Sequence, residues 1–212
     1  MNYKELLKLI GDDSVFESSL LLAGNINPKT VRLQLSRWVN SGRIYQLRRG
    51  LYSIAPPYQK TKPHPFLLAN RLRRSSYVSL QSALAFYGLI PENVNSIVSV
   101  TTSRPERLET PLGVFEFRHV QPRLLFGYQM TDLTGQNALL ASPEKALLDL
   151  VYLHTGAETL PYIQELRLQN VDRLDPQVLK NQSQRFGSPK MRTAVHNILQ
   201  ILQHESGNEE EV

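Results

Sequence analysis

The sequence predicts an α+β chain in two parts: a small helical unit that closes on a β-hairpin, then a larger mixed α/β unit with a small sheet and C-terminal helices. Three observations carry this. Amphipathic helical segments at the start run straight into two short half-apolar runs, 43–47 and 51–54, around Arg48-Arg49-Gly50, the pattern of a tight hairpin. Beyond Pro91 the apolar period changes from helical spacing to short β-rich runs. A helical period then returns and holds to the end of the chain.

Tyr3, Leu6, Leu7 and Ile10 recur at i, i+3, i+4, i+7 and mark a first helix ended by Gly11. A second is expected from Asp13 or Ser14 through Phe16, Leu20 and Leu21 to Ala23, where Gly24-Asn25 stops it. The third carries the clearest signals: Asn27 suits the N-cap, Pro28 the first helical position, and Gly42 a left-handed C-terminal cap. At about 100° per residue, Val31, Leu35, Trp38 and Val39 share one face and form core. Lys29, Arg32, Leu33, Ser36, Arg37 and Asn40 cover the opposite face, with Gln34 at the seam.

Three helices followed by a hairpin is the order of a winged helix-turn-helix, expected over residues 1–57. In that fold the third helix enters the major groove of DNA and the hairpin lies against the backbone or a neighbouring groove. The candidate DNA-binding residues are therefore Lys29, Thr30, Arg32, Ser36, Arg37, Arg43, Arg48 and Arg49, with Gly50 supplying the positive φ of the turn. The rival reading is a winged helix that docks protein, since the fold also serves that end.

The proline-rich stretch APPYQKTKPHP breaks helices and favours extended backbone, so residues 58–65 read as a semi-rigid linker. The second unit is expected over 66–204. It begins with helices over 66–74 and, capped by Ser79, over 80–87, the latter ended by Gly88 and Pro91. Strands follow over 96–103, 113–120 and 137–142, with a shorter one over 126–130. Ser142, Pro143 and Glu144 then open a helix whose Ala146, Leu147, Leu150 and Val151 face the sheet. Further helices are expected over 160–168, 176–186 and 189–204, the last with Met191, Val195, Ile198, Leu199 and Leu202 at helical spacing. Residues 205–212 read as a disordered acidic tail.

Composition narrows the function classes. The chain has 212 residues, 41% apolar content and a net charge of +5, enough for a real core. Charge is unevenly spread. Between Glu17 and Glu92 lie eleven bases and no acid, whereas from Glu92 onward there are eleven bases and fifteen acids. A basic block beside an acidic one suggests a polyanion-binding module joined to something else. Zero cysteines exclude disulfides, thiolate metal sites and thiol nucleophiles. The charged start MNYKELLKLIGDD is unlike a signal peptide, and no stretch approaches the ~18 apolar residues of a membrane span, so a cytoplasmic protein without membrane association is expected.

Histidines 64, 119, 154, 196 and 204 show no metal-ligand spacing, and neither a Gly-rich phosphate loop nor a GxSxG elbow is present, so no metal, no cofactor and no catalytic residue is expected. His154 reads as a helix-end residue that favours the carboxyl-end dipole. Glu144-Lys145 is the one pair to weigh against the Glu-x-Lys ending of restriction-type nuclease motifs. The two are adjacent and open a helix, which favours helix-start electrostatics.

The run VRLQLSRWVNSGRIYQLRRGLYSIAP, with its basic turn followed by Gly50-Leu51-Tyr52, resembles the N-terminal winged helix of AbiEi-type antitoxins. YVSLQSALAFYGLIPE, VTTSRP, GVFEFRHV and ASPEKALLDLVYL are similar to that family's C-terminal antitoxin domain, and the set spans most of residues 15–155. The resemblance implies a bacterial type IV toxin-antitoxin component, a transcriptional autorepressor that binds double-stranded DNA at repeats in its own promoter. It also implies a second domain that counteracts a nucleotidyltransferase toxin without needing a stable complex with it. Against this stand a nuclease-related enzyme using Glu144 and a protein-interaction module.

Overall fold

The computed structural model describes residues 1–22, 27–92 and 95–209, with side chains described as far as residue 203. Its architecture is α+β with two sheets. The first helix, α1 (Tyr3–Ile10), opens with a capping box in which the Glu5 amide donates to Asn2 Oδ1 at 2.9 Å and the Asn2 amide to Glu5 Oε2 at 2.8 Å. Gly11, at φ +66°, closes it.

The expected second helix does not form. Its residues make a short strand, β1 (Val15–Glu17), and a 3₁₀ turn over Ser18–Leu22, while the expected stop at Ala23-Gly24-Asn25 falls outside the described residues. Val15 and Phe16 suit a strand, and strand pairing decides the outcome. Val15, Phe16 and Glu17 oppose Ser53, Tyr52 and Leu51, and the Ser18 amide donates to the Gly50 carbonyl at 2.8 Å. The competing partner lies over thirty positions away, beyond the reach of local periodicity.

Helix α2 (Pro28–Asn40) forms as expected, with Asn27 Oδ1 accepting from the Lys29 amide at 2.9 Å and Gly42 at φ +68° just past its end. The hairpin β2 (Ile44–Arg48) and β3 (Leu51–Ile54) turns at Gly50, φ +83°, and β1 adds to its far side to give the antiparallel order β1-β3-β2. Leu6, Phe16, Leu21, Val31, Leu35, Trp38, Ile44, Tyr52 and Ile54 form one core beneath α2. Val15, Leu47 and Leu51 belong instead to the larger core of the rest of the chain, so the two parts share apolar surface.

The proline-rich connector is tied on both sides. Tyr58 meets Tyr3 edge-on at 5.1 Å, and Ser14 Oγ donates to the Thr61 carbonyl. Gln136 grips the far end: its Nε2 donates to the Lys62 carbonyl at 3.0 Å and its Oε1 accepts from the His64 amide at 2.8 Å.

Beyond it come α3 (Pro65–Leu72), β4 (Ser76–Val78), α4 (Leu80–Phe86), β5 (Ser96–Thr101), β6 (Glu106–Thr110), β7 (Gly113–His119), β8 (Tyr128–Asp132) and β9 (Asn137–Ala141). The strands form one six-stranded sheet in the order β6-β7-β5-β4-β9-β8. β4 runs antiparallel to β5 and parallel to β9, and β5 runs parallel to β7. β4 and β6 were not expected from the sequence. β4 is three residues long between two helices, and β6 is a charged edge strand, the form that edges take to resist further pairing.

Helices α5 (Pro143–Leu153), α6 (Leu160–Glu165), α7 (Pro176–Gln184) and α8 (Pro189–Glu209) follow, with α4, α7 and α8 each in contact with α5. Helix α8 continues to Glu209, into the stretch read from sequence as a disordered tail, and 210–212 lie outside the described residues. Among the described residues no helix is long and apolar enough to cross a membrane, and no group of three or more His, Cys, Asp or Glu could hold a metal ion.

Candidate nucleic-acid interface

Helix α2 turns Val31, Leu35 and Trp38 inward and leaves Lys29, Thr30, Arg32, Leu33, Ser36, Arg37 and Asn40 exposed, with Val39 and Gln34 intermediate. The division follows from the helical period alone. Arg32 and Arg37 are separated by about 7.5 Å of helix rise. Arg48 and Arg49 are exposed at the hairpin tip, where β2 carries a register shift between Gln46 and Arg48. A bulge of this kind re-aims side chains at the end of a strand.

The tip and α2 face each other across a groove of about 510 Å³ whose lining includes Ser18, Leu22, Pro28, Arg32, Arg49 and Gly50. One arginine from the helix and one from the hairpin thus line the same concavity. Arg43 is placed differently. It stands at the opposite end of β2 from the tip, about 16 Å away at strand rise, with its guanidinium 5.2 Å from the Tyr3 ring centre and its carbonyl accepting from Tyr3 Oη at 3.0 Å.

The acid-free stretch of sequence is not acid-free in space. Lys60 pairs with Asp12 at 2.8 Å, Arg71 with Asp13 at 3.4 Å, Arg74 with Glu17 at 2.5 Å, and Arg73 with Glu106. Each partner comes from outside the stretch. Among the described residues, Lys29, Arg32, Arg37, Arg43, Arg48, Arg49 and Lys62 form no ion pair, and all but Arg43 and Lys62 belong to α2 or the hairpin tip. Within this stretch, folding therefore leaves five of the seven unpaired bases on α2 and the hairpin tip, a selection that the linear order of residues could not reveal.

Glu144 and Lys145 serve separate partners. Glu144 lies in the first turn of α5, as expected, but its buried carboxylate accepts from the Asp175 amide at 3.0 Å and so anchors the start of α7. Lys145, read from sequence as a helix-start residue, is 0% exposed. Its Nζ pairs with Asp149 one turn along, donates to Tyr77 Oη at 2.9 Å, and sits 4.8 Å and 5.1 Å from the ring centres of Phe126 and Phe186. Asp149 also accepts from Tyr77 Oη at 2.9 Å and Ser79 Oγ at 2.8 Å, so Ser79 satisfies this carboxylate instead of capping α4 with its side chain.

Burial pushes Asp149 up and Lys145 down, each towards its neutral form, and the attraction between them opposes both shifts. Burial, with the Asp149 charge, holds the Tyr77 phenol far above its usual range, keeping it a donor. Burial likewise pushes Tyr87 up to about 12, and its Oη donates to the Ala141 carbonyl at 2.9 Å. The sequence missed this cluster because an isolated lysine on a helix normally faces water. The i, i+4 spacing of Lys145 and Asp149 was the available signal. His154 caps the end of α5, its Nδ1 2.9 Å from the Leu150 carbonyl.

No family model matches the chain, and a search of the curated proteins finds no match for it.

Proposed function

We propose that this chain is a DNA-binding transcriptional regulator without catalytic activity. The observation that carries the reading is the set of ion-pair-free bases on the outer face of α2 and on the hairpin tip, flanking one groove. The chain order supports it: helix, short strand, 3₁₀ turn, helix and hairpin, with the first strand added to the hairpin, matches a winged helix-turn-helix with the 3₁₀ turn in place of the second helix. In this reading α2 enters the major groove of double-stranded DNA and Arg48 and Arg49 meet phosphates as the wing. The resemblance to AbiEi-type antitoxins extends the proposal. The regulator acts in the bacterial cytoplasm on repeats in its own promoter, and the six-stranded part counteracts a nucleotidyltransferase toxin without a lasting complex.

Helix and wing arginines are expected to differ in kind. Arg48→Ala and Arg49→Ala should weaken binding to promoter and scrambled duplexes alike and reduce the slope of log affinity against log salt by about one each. Arg32→Ala and Arg37→Ala should in addition narrow the gap between the two duplexes, since a bidentate arginine–guanine pair contributes ~1–3 kcal/mol of discrimination. The measurement is a competition titration of the full-length variants at two salt concentrations. Affinity that is flat in salt, or unchanged in all four variants, would dismiss the reading.

A further inference from the structure

Glu17 ends β1 directly beside the proposed wing: it opposes Leu51, and Leu51 opposes Arg48 on the other strand. Its carboxylate accepts from Arg74 at 2.5 Å and, more weakly, from Ser19 Oγ at 3.4 Å. Arg74 comes from the turn after α3, in the larger part of the chain, and its side chain is 71% exposed. One carboxylate thus stands between a base of the hairpin tip and a base of the following unit. Arg74 does most to hold the Glu17 carboxyl below its ordinary pKa, and Arg48 contributes, so both positive charges are felt at the same group.

We infer that Arg74 extends the DNA-binding surface beyond the hairpin onto the larger part of the chain, and that Glu17 is an internal competitor that a DNA phosphate displaces from it. This rests on the DNA-binding reading above and adds to it a contact outside the winged helix and a built-in restraint. The chemistry favours the exchange. An arginine–carboxylate pair with one partner largely in solvent contributes little, so releasing it costs little. A duplex offers phosphates at high density and releases condensed counterions when a guanidinium replaces them. The neighbouring pairs Lys60–Asp12 and Arg71–Asp13 are also exposed, but neither acid adjoins the hairpin tip, which singles out Glu17.

The test uses the full-length protein with a duplex of its own promoter region and a scrambled duplex, each titrated at two salt concentrations. Glu17→Gln keeps the shape and removes the charge; it should tighten binding to both duplexes several-fold and leave their ratio unchanged. Arg74→Ala should weaken both and lower the salt slope by about 0.9. In the double variant the gain from Glu17→Gln should shrink, because Arg74, the cation that Glu17 pairs with, is gone. Thermal unfolding of each variant should stay near wild type, as the Arg74 side chain lies at the surface and Glu17→Gln keeps the shape of the half-buried one. If Arg49→Ala loses affinity while Glu17→Gln and Arg74→Ala bind like wild type, this inference falls and the regulator reading stands. If wild type shows no salt-dependent binding to either duplex, both fall together.

Discussion

Asp149→Ala is expected to destabilise the larger part of the protein by about 3–5 kcal/mol, because it leaves the Lys145 ammonium buried without its counter-charge. The same change strips the acceptor from two hydroxyls, Tyr77 Oη and Ser79 Oγ, which join the strand β4 and the start of α4 to α5. Aromatic rings around Lys145 Nζ soften the loss without replacing a carboxylate. Urea unfolding of the full chain followed by far-ultraviolet circular dichroism gives the number. A control separates charge from packing. Replacing both partners together, as Lys145→Met with Asp149→Leu, should recover the part of the loss due to the unpaired ammonium, while the part due to Tyr77 Oη and Ser79 Oγ losing their acceptor remains. A loss below about 1 kcal/mol in Asp149→Ala would mean that water reaches the cluster.

Trp38→Ala should cost about 3–5 kcal/mol in the N-terminal part, the range for truncating a buried aromatic. Trp38 is 3% exposed, meets Tyr3 edge-on at 5.5 Å, and shares the core with Leu6, Leu35 and Ile44. Its carbonyl accepts from the Arg43 amide at 2.9 Å and from Ser41 Oγ at 3.2 Å, so the same residue fixes the bend from α2 into the hairpin. Trp38 is the single tryptophan in the chain, and its fluorescence isolates the N-terminal transition in wild type. The variant is followed by circular dichroism. A near-neutral result would mean that α2 does not seat this face on the core.

Helix α2 was legible because its signals are local: a cap, a proline, an apolar stripe and a closing glycine all lie within one short window. The segment around Val15 and Phe16 was misread for the opposite reason. Its apolar positions fit a helix acceptably, and what makes it a strand is β3, which enters the chain much later. The same limit hid β4, where Ser76, Tyr77 and Val78 look like a helix-to-helix turn until β5 and β9 enclose them. Charge followed this rule as well. The sequence located a basic block, but only the pairing of Lys60, Arg71, Arg73 and Arg74 with distant acids separates its four neutralised bases from the other seven.

The double grip of Gln136 on Lys62 and His64, with Ser14 holding Thr61, also sets how much room the molecule needs around it. A slack tether would let the larger part swing aside from any neighbour, as flexible linkers do. Here the connector has no free length to pay out. On the proposed DNA-binding reading, a copy seated on a duplex through α2 would carry its larger part at a set bearing, turning with the helical pitch of the DNA. Two copies on successive repeats would meet shoulder to shoulder or point to opposite sides according to the number of base pairs between them. Inserting half a helical turn between repeats would change which neighbours touch while leaving each single site intact.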